Sequence, residues 1–225
     1  MIRHGLHTEV AASATGTGLL AVPASEDQPD PHLSSRARWH HALHRFCNVL
    51  FFDRLSLLNS ERIPAEGPVL FIGLHRNGAV DGFAYHQVFP HVSFLISTQL
   101  LRNAFTRAFF DGIPVARPQD ANRPGCSKNA ISACVDVLHS GGRVFIFPEG
   151  TSSLGPHHLP FKSGAARVAA EALRQGRPVR IVPVGIHYEK AWAFRGRVEV
   201  VIGKPLDVSP RDSVGELRSA MTEVL

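Results

Sequence analysis

A histidine stands directly after an apolar run that has the length and composition of a buried strand. The run is Pro68–Leu74, His75 follows it, and Asp81 comes six residues after the histidine. Histidine is the side chain best suited to proton transfer near neutral pH, and a nearby aspartate can hold one ring nitrogen in its protonated form. A histidine and an aspartate at this spacing also occur in purely structural roles, so the pair alone leaves both interpretations open.

Two further segments place polar groups after strand-like runs. Phe147-Pro-Glu-Gly-Thr151 follows the run Arg143–Phe147 and offers a carboxylate, a glycine and a hydroxyl. Gly112-Ile-Pro-Val-Ala-Arg117 ends a possible strand with a guanidinium, which suits phosphate or carboxylate groups. Since ligands of α/β sheets bind at the carboxyl ends of the strands, we expect these groups to share one sheet edge with His75.

These segments together resemble the signature of the glycerolipid acyltransferases, the family of the lysophosphatidic acid and glycerol-3-phosphate acyltransferases. The matching blocks, in the family's order, are His75…Asp81, Gly112…Arg117, Phe147–Thr151 and Val182–Val184, with Phe161–Ala165 similar to a further Phe-Lys-x-Gly-Ala segment. The family usually leaves four residues between its histidine and aspartate, whereas this His-x5-Asp variant has five. The additional residue falls in Arg76-Asn77-Gly78, a segment that can form a tight turn.

The resemblance implies a role for each matched residue and a reaction. His75 is the general base, Asp81 orients it, and the acceptor is bound by Arg117, Glu149, Gly150, Thr151 and Lys162. A fatty acyl group then moves from acyl-CoA or acyl-carrier protein to the hydroxyl of glycerol 3-phosphate or a lysophospholipid such as lysophosphatidic acid. A thioester is already activated, so a base and a well-placed acceptor suffice. No cofactor beyond this cosubstrate is expected.

Two alternatives stay open at this point. The longer His–Asp spacing is compatible with a catalytically inactive lipid-binding protein of the same fold, and the chain could be the catalytic part of a longer protein. A metal site is not expected, because His40 and His44 lie one helical turn apart without a third ligand at a convincing spacing.

Composition indicates a folded protein with an anionic partner. The 225 residues are 44% hydrophobic and 19% charged, which fits one globular domain. The net charge is +5, and arginine far outnumbers lysine among the 24 basic residues. Phosphate-bearing substrates or anionic lipid headgroups fit this charge. Nucleic acid is not expected as a partner, because no dense basic run or recognition motif is present.

Periodicity predicts an α/β fold, with a largely parallel sheet flanked by helices. The predicted strands are Pro68–Leu74, Val92–Ser97, Arg143–Phe147, Val179–Ile186 and Val198–Ile202. Helices are expected around Ile131–Leu138, from Gly164 to Gln175, and after an N-cap at Ser209-Pro210.

The N-terminal part of the chain divides from this domain, which is expected to span residues 61–225. Residues 1–35 are predicted to be a mobile leader. Residues 36–60 are predicted to form an amphipathic helical segment whose aromatic, leucine and arginine side chains could contact a membrane. The chain has no apolar run of the ~18–20 residues that a spanning helix requires, and its three cysteines form no C-x-x-C pair. We therefore expect peripheral or monotopic attachment at the cytoplasmic face of a membrane.

Overall fold

Seven β-strands form one sheet in the computed structural model, which describes residues 35–98, 112–115, 126–155, 157–190 and 193–225. In chain order they are β1 (Phe52–Leu58), β2 (Val69–Gly73), β3 (Ser93–Ser97), β4 (Ile113–Val115), β5 (Arg143–Ile146), β6 (Arg180–Tyr188) and β7 (Gly196–Ile202). Their order across the sheet is β1-β7-β6-β2-β5-β3-β4. The described helices are α1 (Ser35–Phe51), α2 (Ala79–Val88), α3 (Cys126–His139), α4 (Gly164–Arg174) and α5 (Val214–Glu223).

The sheet is buried on both faces, which explains why its central strands read as continuous apolar runs. All five residues of β2 are buried. Its alternate side chains Leu70 and Ile72 pack with α3, α4 and α5, whereas Val69 and Phe71 pack on the side of α2. The expected α/β class with flanking helices is thereby confirmed.

Strand direction brings the carboxyl ends of five strands to one edge. β2 pairs in parallel with both β5 and β6, and β3 pairs in parallel with β5 and β4. The pairing of β6 with β7 is antiparallel, and β1 runs parallel to β7. The sheet is therefore largely parallel, as predicted, and β6, β2 and β5 are neighbours that end at the same edge.

The segment predicted to be helical over residues 36–60 is divided between two elements, which corrects that expectation. Helix α1 ends at Phe51, and β1 begins at the next residue. Residues 52–58 pair with β7 from Phe52↔Gly196 to Leu58↔Val201. The apolar pattern of these residues continues that of the helix. Their extended conformation is therefore stabilised by pairing with β7, a strand more than a hundred residues away in the sequence.

Helix α1 turns polar side chains inward. His44 and Asn48 are buried, and Asn48 Nδ2 donates a 2.6 Å hydrogen bond to the Phe83 carbonyl oxygen in α2. The His44 ring lies 4.3 Å from the His86 ring, also in α2. Trp39 and three other large apolar side chains of α1 are exposed. The helix is thus attached to α2 through its polar side.

One smaller prediction is corrected as well. Helix α5 is capped by Ser213 and not by Ser209: the Ser213 hydroxyl accepts from Glu216 N, and the Glu216 carboxylate accepts from Ser213 N. Pro183 does not interrupt β6. The ladder between β6 and β7 starts at Val184, and the Pro183 carbonyl oxygen accepts a hydrogen bond from Gly203 N just beyond it. The N–H that proline lacks would therefore lie at the end of that ladder.

Cys134, in α3, packs in the core with a fully buried side chain. Burial raises the pKa of its thiol to about 12, so this cysteine behaves as a small hydrophobic side chain. Residues 1–34, which are all but the last residue of the predicted leader, lie outside the described residues.

Candidate active site

The candidate site lies where three neighbouring strands end. His75 follows β2, the Phe147–Thr151 segment follows β5, and Tyr188 is the last residue of β6. Because β2 lies between β6 and β5 in the sheet, His75 is at the centre of this edge. The expectation that the Phe147–Thr151 segment shares one sheet edge with His75 is confirmed, and the end of β6 lies at the same edge.

His75 and Asp81 are in direct contact. The distance between His75 Nδ1 and Asp81 Oδ2 is 2.8 Å. The aspartate, in the first turn of α2, is fully buried, while the histidine side chain retains 20% of its accessible surface. A carboxylate can only accept hydrogen bonds when ionised, so Nδ1 carries the proton and the lone pair is on Nε2. The exposed ring is thereby prepared to take up a proton at Nε2.

The five-residue spacing closes through a turn at Asn77 and Gly78. Asn77 N donates to Asp81 Oδ2 at 2.8 Å, and Val80 N donates to the Asn77 carbonyl at 3.1 Å. Gly78 has φ 54° and ψ −129°, a backbone conformation that is essentially restricted to glycine. The additional residue is absorbed here, and the His75–Asp81 contact predicted from the sequence is present.

Tyr188 is a third member of this group that the sequence did not reveal. Its hydroxyl donates to Asp81 Oδ1 at 2.5 Å. Burial, followed by the neighbouring Asp81, raises the pKa of Tyr188 far above its ordinary value, so the phenol stays protonated and acts as a donor. The predicted strand ended at Ile186, two residues short of it. The available signal was a tyrosine four residues after the Val182–Val184 block.

Glu149 makes two hydrogen bonds to the backbone of the site. Its carboxylate is buried, with 1% of its surface accessible. Oε1 accepts from His75 N at 2.9 Å and Oε2 accepts from Leu159 N at 2.8 Å. Glu149 ties the loops after β2 and β5 together and fixes the backbone of His75.

The other residues of that block lie at the rim. Gly150 has φ 69°, and a Cβ added to it would lie 2.7 Å from Lys162 Nζ, so the lysine crosses directly over the glycine. Thr151 and Lys162 are exposed. Ser153 N donates to the His75 carbonyl oxygen at 2.9 Å, which keeps this loop beside the histidine. A hydroxyl and an ammonium group are thus accessible close to His75.

Arg117, the remaining predicted site residue, lies outside the described residues. The described strand β4 ends at Val115, two residues before it, at the same edge of the sheet as β2 and β5.

Two aromatic side chains, Phe147 and Tyr85, pack beside His75. The Phe147 ring stacks on His75 with centroids 4.3 Å apart. Tyr85 packs against Phe147 and donates its hydroxyl proton to the Leu74 carbonyl at 2.9 Å. Burial raises the pKa of Tyr85 well above its usual range. The His75 ring is therefore stacked on a partly buried phenylalanine, and the carbonyl of the preceding residue is held by a buried tyrosine.

A cleft of about 540 Å³ opens beside the histidine, between the end of β6 and the loop that follows Ser153. Its walls combine apolar and basic groups: Leu74, Arg76, Leu154, Gly155, His157, His158, Ile186, His187, Tyr188, Glu189 and Leu225. Arg76 donates to the Gly155 carbonyl and so joins the two walls. This mixed lining suits a ligand with an apolar part and an anionic part.

Comparison with known proteins gives a family and a fold. The family described as Acyltransferase matches residues 54–187. A glycerol-3-phosphate O-acyltransferase of Saccharomyces cerevisiae is 38% identical over 102 residues, which are 40% of this chain and 14% of the yeast protein. A chloroplastic 1-acyl-sn-glycerol-3-phosphate acyltransferase of Arabidopsis thaliana is 24% identical over 208 residues, 86% of this chain and 55% of the plant protein. This chain thus spans about half of the plant relative and a small part of the yeast one.

Among solved structures, the 1-acyl-sn-glycerophosphate acyltransferase PlsC from Thermotoga maritima has the same fold. The TM-score is 0.60 at 20% sequence identity, and the match covers 84% of this chain and 74% of the other.

Proposed function

This chain belongs to the acyltransferase family, and from that premise we propose that it moves a fatty acyl group from a thioester to a hydroxyl of glycerol 3-phosphate or of a lysophospholipid such as lysophosphatidic acid. The two acceptors are those named in the yeast and plant relatives. The donor is acyl-CoA or acyl-carrier protein, with no further cofactor.

The observation that carries this proposal is the His75–Asp81 pair at the end of β2, with Nδ1 held at 2.8 Å from the carboxylate. His75 Nε2 takes the proton from the acceptor hydroxyl as its oxygen attacks the thioester carbonyl carbon. Asp81 stabilises the imidazolium that forms. The C–S bond then breaks, the ester remains on the acceptor, and the thiolate takes the proton back from His75.

Acceptor binding falls to the cationic and hydroxyl groups around the histidine. Arg117 and Lys162 bind the phosphate of the acceptor, and Gly150 and Thr151 contribute backbone and hydroxyl groups. The exposure of Thr151 and Lys162 beside the His75 loop supports this assignment. The 2.8 Å contact between His75 and Asp81 at this longer spacing supports the active enzyme over an inactive lipid-binding protein of the same fold.

Helix α1 is the membrane contact in this proposal, at the cytoplasmic face. Trp39, Phe46, Val49 and Leu50 expose between 50% and 67% of their surface, while polar His44 and Asn48 are buried. An exposed apolar face on a helix that hides its polar side favours docking in a bilayer interface. Among the described residues, no helix has the length and apolar character needed to cross a membrane.

Release of free thiol from purified protein tests the reaction. Each donor, acyl-CoA or acyl-carrier protein, is paired with glycerol 3-phosphate or lysophosphatidic acid, and the lipid product is identified by mass spectrometry. We expect acceptor-dependent thiol release that His75→Ala lowers by at least about 10²-fold in a folded protein. Full activity of folded His75→Ala would refute the assigned base.

Arg117→Lys should raise the acceptor KM and leave the donor KM unchanged, because the bidentate fork is lost.

Sedimentation with anionic phospholipid vesicles tests the membrane contact. We expect the protein to pellet with the vesicles and high salt to release only part of it, because apolar burial is not screened. Trp39→Ala combined with Phe46→Ala should abolish sedimentation, whereas Val224→Ala, an exposed apolar side chain of the α5 end, should not. Equal binding of the two proteins would exclude α1 as the docking surface.

A further inference from the structure

Asp81 is held by three donors that come from two parts of the chain. Oδ2 accepts from His75 Nδ1 and from Asn77 N, both at 2.8 Å. Oδ1 accepts from the Tyr188 hydroxyl at 2.5 Å. Two of these donors, His75 Nδ1 and Asn77 N, lie in the loop between β2 and α2. The third comes from β6, 107 residues away in sequence.

Tyr188 is the rigid part of this arrangement. Its backbone belongs to β6 and pairs with Val198 of β7. Its ring packs against Phe52 of β1, with centroids 6.2 Å apart. A group on a paired strand is positioned more accurately than a group on a loop. The Tyr188 hydroxyl therefore holds the buried Asp81 carboxylate from a paired strand, whereas the two other donors lie in a loop.

We infer that Tyr188 is a positioning residue for the acyl transfer proposed above: through its hydrogen bond to Asp81 Oδ1 it fixes the carboxylate so that Oδ2 meets His75 Nδ1. The inference rests on the proposed function. Tyr188 acts on the histidine through the aspartate and has no contact with the reacting atoms in this role. Without the phenol, the carboxylate can rotate away from His75 or draw water into the site, and the histidine is then oriented less well.

The same ring also lines the cleft beside His75, which suggests a competing role in substrate binding. The two roles predict different kinetics. A positioning residue acts on the chemical step, so its loss lowers kcat, whereas a residue that only binds substrate raises KM.

Tyr188→Phe removes the hydroxyl and keeps the ring. We expect kcat of thiol release to fall by about 10-fold or more, with both KM values within about 2-fold of the wild type, since hydrogen bonds to charged groups are strong. Ser213→Ala removes a hydrogen bond outside the candidate site, the one that Ser213 Oγ accepts from Glu216 N at the start of α5. This control should show a comparable fall in Tm with kcat within about 2-fold of the wild type. An unchanged kcat in Tyr188→Phe, a change confined to KM, or an equal fall in kcat in both variants would overturn the inference.

A double-mutant cycle tests whether Tyr188 acts through Asp81. In the Asp81→Ala background, Tyr188→Phe should change kcat by less than about 2-fold, because the side chain that Tyr188 positions is already gone. Independent, multiplicative losses would contradict the inference.

A readout without turnover separates this inference from the proposed function. In protein labelled with ¹⁵N-histidine, the ring signals of His75 are those missing from His75→Ala. Tyr188→Phe should move these signals and speed the exchange of the Nδ1 proton with water, and Ser213→Ala should do neither; unchanged signals in Tyr188→Phe would overturn the inference. A wild type that releases no thiol with any donor and acceptor would instead refute the proposed function, and the ¹⁵N result would still decide the role of Tyr188.

Discussion

Replacing Asp81 with asparagine removes the negative charge behind His75 while keeping a side chain of nearly the same size. The structure predicts how the amide will sit. Asn77 N points at Oδ2, so the amide oxygen must take that position, because an NH₂ group there would face a backbone N–H. The oxygen then still accepts from His75 Nδ1, and the NH₂ group faces the Tyr188 hydroxyl, whose oxygen can accept. The tautomer of His75 should therefore be preserved.

The expected loss follows from the charge alone. Two unit charges about 4 Å apart interact by about 4 kcal/mol at an effective dielectric constant of about 20. Part of this is screened because His75 retains 20% of its accessible surface, and the amide keeps its hydrogen bond. We therefore expect the imidazolium in the transition state to lose about 2–3 kcal/mol of stabilisation, a fall in kcat on the order of 10²-fold. Loss of the correct tautomer would lower kcat by roughly 10⁴-fold instead.

Steady-state thiol release of Asp81→Asn, at saturating donor and acceptor, measures this loss. The KM values should change little, and circular dichroism should show an intact fold. A fall of about 10⁴-fold, with His75 carrying its proton on Nε2 in ¹⁵N spectra, would refute the argument that Asn77 orients the amide. A kcat close to that of the wild type would refute the role of the charge.

Three further predictions concern stability and reactivity. Glu149→Gln should lower the free energy of unfolding by about 1–3 kcal/mol in a denaturant titration, because the amide offers one acceptor where two backbone N–H groups donate; an unchanged midpoint would contradict this. Gly73→Ala should destabilise by about 1–3 kcal/mol or more, because its Cβ would lie 2.3 Å from the Phe145 ring, whereas Gly164→Ala, with nothing within 4 Å, should be neutral or stabilising. With its thiol pKa at about 12, Cys134 should stay unmodified by iodoacetamide at pH 8 until the protein unfolds, as mass spectrometry of the digested protein would show.

Local patterns were read from the sequence most accurately where a single element carries its own signal. The apolar runs of β2, β3, β5 and β6 were placed to within two residues, since strands buried on both faces have few polar residues. A signal was overlooked at α5, where Ser213-Val-Gly-Glu216 is a capping box that can be read directly from the residues. Ser209 instead forms a turn with Asp212.

β1 shows where a local pattern is insufficient. Phe52–Leu58 continues the apolar character of α1, and nothing within the segment marks the change from helix to strand. Its extended form is stabilised by backbone hydrogen bonds with β7, which lies far away in the chain. Such pairing cannot be deduced from the propensity of the segment itself.

The sequence by itself determined the contact between His75 and Asp81, because the two residues are six apart and a strand end followed by a turn brings them together. Only the tertiary structure decided what surrounds them. Tyr188 reaches Asp81 across 107 residues, and Glu149 reaches the His75 backbone across 74. Their roles as a donor to the aspartate and as a tie between loops follow from the parallel pairing of β2 with β5 and β6, which brings the ends of three strands together. A carboxylate or a phenol is chemically the same in any loop. Strand order and register decide which groups it contacts.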